Sequence, residues 1–363
     1  MEPLSNRRPL AEELAVSAAR RVAEARPIVM LDDPHEAVHE ARRTAKELRG
    51  LLRLIRPAIE PVYAKYNARL REGARRLSES RDAAAIIESI DEHLVPNARG
   101  PFERMAVAVI RRRLVARRET LDEIWLRDAA LDLLLALEKI PIVVGALRLD
   151  LPEAHAIAAG LTKTYRRGRR AMVQALRDDD PDVWHEWRKR AKYHRYHTEL
   201  LLTSDPKVLK DHRTACKRLT DALGADHDLI ALEEFLDIHG DLLGRIGRGT
   251  VRRLIRRRRA GLRREAARLG ATVFGLPGRQ LYRDTVARWE VYRPEEHIDL
   301  PPDPVGVWID DIAAGSLHIE IVDEPLGTPE LADTSFSVEI GTSALEPPAR
   351  ENHASAKQAE ETQ

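Results

Sequence analysis

Up to about residue 290, apolar residues recur every three or four positions, which is the spacing of an amphipathic α-helix. Prolines interrupt this pattern at intervals of about one helix length. Together these signals predict helices at about 9–26, 34–56, 58–79, 82–93, 101–138, 153–176, 181–203, 206–224, 227–241, 243–270 and 277–290. Most connections between them are short, which favours antiparallel neighbours. We therefore expect an all-α fold built from helical bundles.

Two of these helices are preceded by the same start signal. Asp32-Asp33-Pro34 and Asp179-Asp180-Pro181 each place an aspartate directly before a proline. An aspartate at the N-cap accepts hydrogen bonds from backbone N–H groups that have no partner within the helix, and a proline in the first turn needs no such partner. We expect helices to begin at both prolines.

The chain also repeats itself, with the second copy 146 residues after the first. The pattern His-x-x-Arg-x-x-x-Lys-x-x-Arg begins at His39 and again at His185, and Asp82 returns as Asp228. A repeating unit of roughly 140 residues is too long for a solenoid, so it predicts two related domains. We expect two pseudo-symmetric helical bundles from an internal duplication, at 9–140 and 152–290, followed by an acidic tail at 291–363.

The last part of the chain has a different character. After Val291, prolines interrupt a polar and acidic stretch. Residues 316–322 and 335–340 alternate between apolar and polar side chains, which is compatible with a small β-hairpin. From about Leu345 onwards the low hydrophobicity predicts disorder. We expect an irregular tail that is partly disordered.

The charged residues divide the chain in the same way. Residues 299–363 hold 14 acidic and 2 basic side chains, so the formal net charge of +1 leaves a net of +13 for residues 1–298. A basic body predicts a polyanionic partner. The acidic tail is then a candidate competitor for the same surface.

Other features of the composition narrow the class of protein. The chain is 33% charged and 43% hydrophobic, and no apolar run approaches the ~20 residues that span a bilayer. No secretory signal follows Met1. The single cysteine, Cys216, excludes an intramolecular disulfide and suits a reducing compartment. We expect a cytoplasmic protein with no membrane contact and no cofactor.

The repeated pattern places basic side chains on one face of each helix, because offsets of 0, 3, 7 and 10 fall within about 80° of one another. One stripe is His39, Arg42, Lys46 and Arg49, the other is His185, Arg188, Lys192 and Arg195, and Arg43 and Lys189 lie beside them. A single charged stripe is usually a solvated surface, but this one occurs twice, with a histidine at the same end and few acids beside it. Two facing stripes would form a cationic channel for a linear polyanion, since these side chains donate to phosphate oxygens.

Other classes of phosphate site find less support. Neither G-x-x-x-x-G-K-[ST] nor G-x-G-x-x-G occurs, which disfavours nucleotide sites of those kinds. Aromatic residues make up 4% of the chain, so few can stack on single-stranded nucleic acid. Non-specific RNA or DNA binding stays open, because it depends on the same positive charge.

The two stripes lie in segments that resemble the signature helices of CHAD domains, a name that stands for conserved histidine α-helical domain. The segments are Val38–Arg49 and His185–Tyr196, and Leu77–Asp82 and Leu223–Leu229 are similar to the second signature of the family. The resemblance covers about residues 9–290. It implies two pseudo-symmetric bundles around a basic central pore that binds inorganic polyphosphate without known catalysis.

Carried over to this sequence, the resemblance implies a role in polyphosphate binding for the residues of both stripes, in the cytoplasm or at polyphosphate granules. Weaker candidates follow from repeat matching alone: Arg20, Arg21, Arg166, Arg167, Arg113, Arg117, Arg259 and Arg263. The chain departs from the family pattern at Glu47 and Tyr193, where a further basic residue is common. We expect this departure to change the affinity and not the class of ligand, which we expect to be polyphosphate and no specific nucleic acid.

A second constellation suggests a metal-dependent phosphohydrolase. Asp226-His227-Asp228 lies near several histidines in the sequence, and such enzymes need imidazoles and carboxylates that converge on a metal. The repeat argues against this reading, because Arg81 stands where the second copy has His227. Asp82 and Asp228 are more typical of helix caps or of partners for the basic stripe.

His194 and His197 have the i, i+3 spacing of a metal-binding pair, but Leu48 and Leu51 stand at the matching positions of the first copy. We therefore expect both histidines to pack against the other half. Cys216 is expected to be a small buried apolar residue, since no base that would activate it as a nucleophile is evident.

Overall fold

The computed structural model describes residues 1–31, 33–77, 86–118, 123–238 and 244–292, and these residues form helices, turns and bends without a strand. The main helices are α1 (Leu10–Val29), α2 (Pro34–Leu54), α3 (Glu60–Arg76), α4 (Pro101–Arg118), α5 (Glu123–Gly145), α6 (Glu153–Ala175), α7 (Pro181–Leu200), α8 (Pro206–Ile238), α9 (Arg245–Val273) and α10 (Gly278–Val291). Short helical turns lie at Arg56–Ala58, Ile90–Leu94, Val95–Asn97 and Leu202–Ser204. The predicted all-α class is confirmed. The predicted hairpin and the rest of the tail lie outside the described residues.

Both predicted start signals cap their helices. The side chain of Asp33 accepts hydrogen bonds from the N–H groups of His35 and Glu36, at 2.8 and 3.3 Å. Asp180 accepts from the N–H of Asp182 at 2.8 Å. α2 and α7 each begin at the proline that follows the capping aspartate. The same local chemistry therefore starts the two helices that carry the basic stripes.

One predicted boundary is wrong, because α8 continues without a break where the sequence pattern predicts two helices. Gly224 lies inside this helix and faces Arg188, whose guanidinium nitrogens would lie 3.9 Å from a Cβ at that position. Asp226 does not cap a new helix, because its carboxylate accepts a hydrogen bond from Arg259 at 3.0 Å. Gly224 and Asp226 thus both contact neighbouring helices.

The predicted helix at 101–138 ends too early, because the helix of the structure continues to Gly145. α4 ends at Arg118, and α5 begins at Glu123 and passes through Pro141 to Gly145. Proline removes one backbone donor from a helix. The apolar face of α5, which buries Leu137 and Ile140 against α1 and α2, offsets that cost.

The helices pack by apolar faces in two connected groups. α1, α2, α3 and α5 pack against one another, while α7 packs against α6 and α8, α9 packs against α8, and α10 packs against α6. α4 joins the second group through α9. All of them belong to one unit, Met1–Pro301, so the predicted duplication and its boundaries at 140 and 152 stay predictions. None of the described helices is both long and apolar enough to cross a bilayer.

The two groups of helices meet where α2 crosses α6 and α7. A Cβ on Gly160 of α6 would come within 1.6 Å of the carbonyl oxygen of Leu54, and a Cβ on Gly50 of α2 would lie 2.9 Å from the ring of Tyr196. The Nε2–H of His197 donates to the carbonyl oxygen of Gly50 over 3.0 Å. Burial lowers the pKa of His197 to about 3, so this imidazole is neutral. Glycine at both crossing points leaves room for the neighbouring helix. His197 packs against the other half, as predicted.

The N-terminal segment is bonded to the last helices. The N–H of Leu4 donates to the carbonyl oxygen of Leu200 at 2.8 Å. The side-chain amide of Asn6 donates to the carbonyl oxygens of Trp289 and Tyr292, at 3.1 and 3.0 Å. Asn6 has a φ of 52°, a left-handed conformation that asparagine tolerates better than most residues. The two ends of the described chain therefore lie side by side.

Replacing Gly160 with alanine should destabilise the protein, because the added methyl group would occupy the space of the Leu54 carbonyl group. We expect a loss of about 1–3 kcal/mol, typical of overpacking, and a lower urea midpoint. Gly261→Ala in α9 is the matched control, since a Cβ there meets no atom within 4 Å. That variant should be neutral or stabilised by up to about 1 kcal/mol. Equal midpoints for the two variants would contradict the close helix approach.

Candidate functional site

The two basic stripes lie on α2 and α7, which pack against each other. His39 is exposed, and the half-buried members of the stripes are Arg42, Lys46, Arg49, His185, Arg188, Lys192 and Arg195. The flanking Arg43 and Lys189 are exposed. Lys189 pairs with Glu186 on its own helix at 2.8 Å. Most of both stripes therefore face other parts of the protein and do not project into open solvent.

Two histidines lie against each other where α7 meets α8. The Nδ1 atoms of His185 and His227 are 3.3 Å apart, and the ring centroids are 4.4 Å apart. Arg188 and Lys192 of α7 act electrostatically on His227, and so does Lys46 from α2. Side chains from both stripes are thus brought to the surroundings of one imidazole.

These surroundings keep both imidazoles neutral. Burial, together with the charges of Lys189 and Arg188, lowers the pKa of His185 to about 4. Burial also lowers the pKa of His227 to about 3, with added effects of Arg188, His185, Lys192 and Lys46. A bound anion would oppose these positive charges and favour protonation. The site therefore holds several cations close together, and a negative ligand would relieve their repulsion.

Hydrogen bonds orient the remaining arginines of the stripes. Arg42 donates to the carbonyl oxygen of Ala74 at 3.0 Å, and Arg49 donates to the side-chain oxygen of Asn67 at 3.1 Å. Arg195 donates to a carboxylate oxygen of Glu199 at 2.7 Å. These contacts fix the directions of the guanidinium groups before any ligand binds.

Asp228 lies 3.9 Å from the guanidinium of Arg188, which makes it the salt-bridge partner of a stripe arginine. This confirms the predicted role of Asp228 as a partner and excludes a capping role, because Asp228 lies inside α8. Its counterpart Asp82 lies outside the described residues.

The CHAD domain family model matches residues 14–237, a range that contains both stripes and His227. The chain belongs to the CHAD domain family. The crystal structure of the CHAD domain from the plant Ricinus communis is also similar, with a TM-score of 0.48, 17% sequence identity, and coverage of 81% of this chain and 93% of that chain. The family model carries the assignment. No curated protein matches the sequence.

Arg21 is not available as a ligand in this CHAD chain, which corrects its selection by repeat matching. Its side chain is 2% exposed and is hydrogen-bonded to the carboxylates of Glu40 and Glu47. Burial acts to lower the pKa of Arg21, but the two carboxylates raise it overall. Arg20 pairs with Glu2 near the surface. Glu47, one of the departures from the family pattern, is thus the partner of a buried arginine.

Arg259 and Arg263, selected by repeat matching, are also paired with carboxylates. Both donate to Asp226, at 3.0 and 3.2 Å, and Asp226 is 2% exposed. Arg259 has a second partner in Glu233 at 3.2 Å. These contacts join α8 to α9.

The other weak candidates are spread over the surface. Arg113 is exposed on α4, and the side chain of Arg117 on the same helix lies outside the described residues. Arg166 is exposed on α6 and reaches over Gly278 at the start of α10. The structure does not bring Arg113 or Arg166 into the group around His227.

A second group of cations, which the sequence reasoning missed apart from Arg167, lies where α2, α6 and α7 meet. Its members line a cavity of about 10 Å³ and are Arg53, Arg56, Lys163, Arg167 and Arg190. We name it the Arg53 cluster. The guanidinium of Arg53 lies over the ring of Tyr193, 4.0 Å from the centroid. A sequence signal was present, because Arg53 follows Arg49 by four residues and continues the stripe of α2.

The Arg53 cluster contains more positive than negative charge. Glu60 accepts from Arg56 at 2.8 Å and lies 3.6 Å from Lys163, and Glu186 pairs with Arg190. Among the described residues, no carboxylate lies within ion-pair distance of Arg53 or Arg167. Burial lowers the pKa of Arg167, and the charges of Arg190 and Arg53 lower it further. The cluster is therefore a second place where an anion would be stabilised.

A difference between matching positions of the repeated sequence pattern contributes to the unbalanced charge of this cluster. Arg167 stands 146 residues after Arg21, and Tyr193 stands 146 residues after Glu47. In the first copy, Glu47 neutralises Arg21. In the second copy, Tyr193 offers an aromatic face to Arg53 and no negative charge. The charge of Arg21 is thus balanced by a carboxylate, whereas Arg53 lies over an aromatic ring and Arg167 is surrounded by other arginines.

Among the described residues, no set of metal-ligating side chains converges at Asp226-His227-Asp228, the position of the alternative hydrolase site. Asp226 is held by two arginines, and Asp228 lies beside Arg188. Cations at these distances oppose the binding of a second cation. His227 instead belongs to the group of basic residues around His185.

Replacing Glu47 with glutamine should destabilise the protein, because the buried guanidinium of Arg21 would lose one of the two carboxylates to which it is hydrogen-bonded. We expect a loss of about 2–3 kcal/mol, the range for hydrogen bonds to charged groups, measured by urea unfolding. Glu72→Gln is the control, since Glu72 forms a salt bridge with Arg75 in which both side chains are more than half exposed. That change should cost less than about 1 kcal/mol. Similar losses for the two variants would contradict the buried role of Arg21.

Proposed function

We propose that this CHAD chain binds inorganic polyphosphate, without hydrolysing it, at the surface shared by α2, α7 and α8. The observation that carries the proposal is the meeting of Lys46 from α2 with Arg188 and Lys192 from α7 around His227. The CHAD family is associated with polyphosphate binding. The proposal includes the two-bundle arrangement, in which 9–140 and 152–290 each contribute one stripe to a basic pore.

The chemistry of the surface suits a chain of phosphates better than a single one. Arginine donates two parallel hydrogen bonds to phosphate oxygens, and lysine adds a mobile point charge. Once one phosphate of a chain is bound, its neighbours reach the next cation without a further loss of translational freedom. Affinity should therefore rise with chain length and fall with salt.

The Arg53 cluster extends this surface along α2. Arg53 follows Lys46 by seven residues, which is about 10 Å along a helix axis, and Arg49 lies between them. A linear polyanion can contact both positions at once, whereas orthophosphate cannot. We propose that the cluster supports longer polyphosphates.

Reversing two central charges should weaken the binding of polyphosphate. We expect Lys46→Glu with Arg188→Glu to lower the affinity at least about tenfold, or 1.4 kcal/mol, in titrations with polyphosphates of graded length. Arg75→Glu with Arg283→Glu is the matched control, because both arginines are exposed and the net charge changes equally. An equal loss in the control would show that only net charge matters and would overturn the site.

The same titrations separate the two alternative functions. Phosphate release from polyphosphate with Mg²⁺ or Mn²⁺ at micromolar protein would establish a phosphohydrolase and overturn the non-catalytic proposal. Displacement of polyphosphate by RNA or DNA at equal charge concentration would indicate a general polyanion surface. We expect no phosphate release, and we expect polyphosphate to displace nucleic acid far better than the reverse.

The binding should strengthen as the pH falls from 7 towards 4.5. The pKa of His185 is about 4 in the unliganded protein, and a bound polyanion raises it. Protonation then accompanies binding, so affinity rises below the pKa of the complex and is flat well above it. The change is expected below pH 6.5, the reference value for histidine. His185→Asn should flatten the profile, and an unchanged affinity of the unmodified protein between pH 7.5 and 4.5 would exclude this histidine from the site.

A further inference from the structure

A second set of donor side chains lies on the opposite face of α7 from the basic stripe. His194 follows His185 by nine residues, which at about 100° per residue turns it half-way round the helix. His194 faces α8, where His212 and Cys216 are four residues apart and share one face. We name these three residues the His-Cys group.

The three side chains converge closely. The Nε2 atoms of His194 and His212 are 2.9 Å apart, and one ligand atom from each member of the group lies within 4.8 Å of the other two. His194 and Cys216 are each 1% exposed, and His212 is half-buried. Among the described residues, no other group of histidine, cysteine and acidic side chains converges in this way.

The two imidazoles are neutral and keep lone pairs for a ligand. Burial lowers the pKa of His194, and the neighbouring His212 and His197 add to the effect. Burial also lowers the pKa of His212, with a further effect of Arg288. The Nδ1 of buried His194 has no hydrogen-bond partner among the described residues. Uncharged imidazole is the form of histidine that binds metal ions.

A cavity of about 30 Å³ adjoins the two imidazoles and is also lined by Thr198 and Ser204. This volume exceeds the roughly 10–15 Å³ that one water needs. The nearest charged side chain on the cavity wall is Arg288, and it pairs with Asp205 at 3.0 Å. The ion pair offsets the positive charge that would otherwise oppose a cation.

The first copy has no such group. The positions 146 residues earlier are Leu48, Tyr66 and Leu70, of which the two leucines are buried in the apolar core. Burying polar side chains costs free energy unless they find partners. Two nitrogen donors and one sulfur donor at one place form a set of ligand atoms that a metal ion such as zinc binds.

We propose that His194, His212 and Cys216 bind a zinc ion, with the cavity supplying room for a water as the fourth ligand. Imidazole and thiolate are ligands that Zn²⁺ prefers, whereas Mg²⁺ and Ca²⁺ prefer oxygen. Zinc takes nitrogen at about 2.0 Å and sulfur at about 2.3 Å, so the two nitrogens would move apart by less than about 1 Å. The Cys216 thiol loses its proton to solvent as the Zn–S bond forms, and no electron is transferred.

The competing interpretation is a structural hydrogen bond between the two imidazoles. One Nε2–H would then donate to the other Nε2, and Cys216 would remain a thiol. Burial raises the pKa of Cys216 to about 12, so a thiol without metal stays protonated at neutral pH. The two interpretations therefore differ in one proton per bound metal ion.

The experiment is a titration of the metal-free, full-length protein with Zn²⁺ and with Co²⁺ as a spectroscopic probe. We expect one ion per chain, near-ultraviolet absorption of a Co²⁺–thiolate bond, and release of about one proton, counted by calorimetry in buffers of different ionisation enthalpy. The affinity should rise about tenfold per pH unit between pH 6.5 and 8. Polyphosphate binding is measured separately, so the outcomes of the two proposals are independent.

Cys216→Ser should abolish the thiolate absorption and the proton release, and His212→Gln should weaken binding at least tenfold. His155→Gln is the matched control, because His155 bonds Tyr282 at 2.7 Å and is not part of the group. Failure of the unmodified protein to bind either ion would overturn the proposal without any variant. Binding that survives Cys216→Ser with an unchanged spectrum, or that is lost equally in His155→Gln, would place the metal elsewhere and overturn it as well.

Discussion

The close approach of α2 to α6 and α7 is the constraint on which the rest of the structure depends. Gly160 of α6 leaves room for the backbone of α2, and Gly50 of α2 leaves room for the ring of Tyr196 on α7. The neutral imidazole of His197 satisfies the Gly50 carbonyl at this crossing. Because the helices cross here, Lys46 of α2 and Arg188 and Lys192 of α7 lie close enough to act electrostatically on His227.

The nearby carboxylates determine whether an arginine of this chain supports the fold or is available to a ligand. Arg21 has two glutamates and is buried, and Arg259 shares Asp226 with another arginine. Such pairs join helices and leave little positive potential at the surface. Arg53 has aromatic rings and Arg167 has other arginines around it, so their charge is only partly balanced. An excess of cations held in place is costly for the empty protein and favourable for an anionic ligand.

The sequence could predict what depends on neighbours along the chain. These local properties are the helix period, the capping aspartates and the basic faces of α2 and α7. The structure contains all three. The burial of Arg21, the pairing of Arg259 and the continuity of α8 through Gly224 depend on partners from other helices. Repeat matching failed at these positions because it compares residue types and not their surroundings. The pairing of His194 with His212 was missed, because His194 was expected to pack against the other half, whereas it lies against α8 in its own half.

The hydrogen bonds of Asn6 to Trp289 and Tyr292 hold the N-terminal segment against the end of the last described helix. Because residues 6 and 292 lie close together, the chain could be joined there and opened at a turn elsewhere. A short peptide joining residue 292 to the N-terminal segment, with new ends in the turn between α5 and α6, would preserve the packing of every helix pair. In such a chain the second half would be synthesised before the first, and the same helices would still pack together.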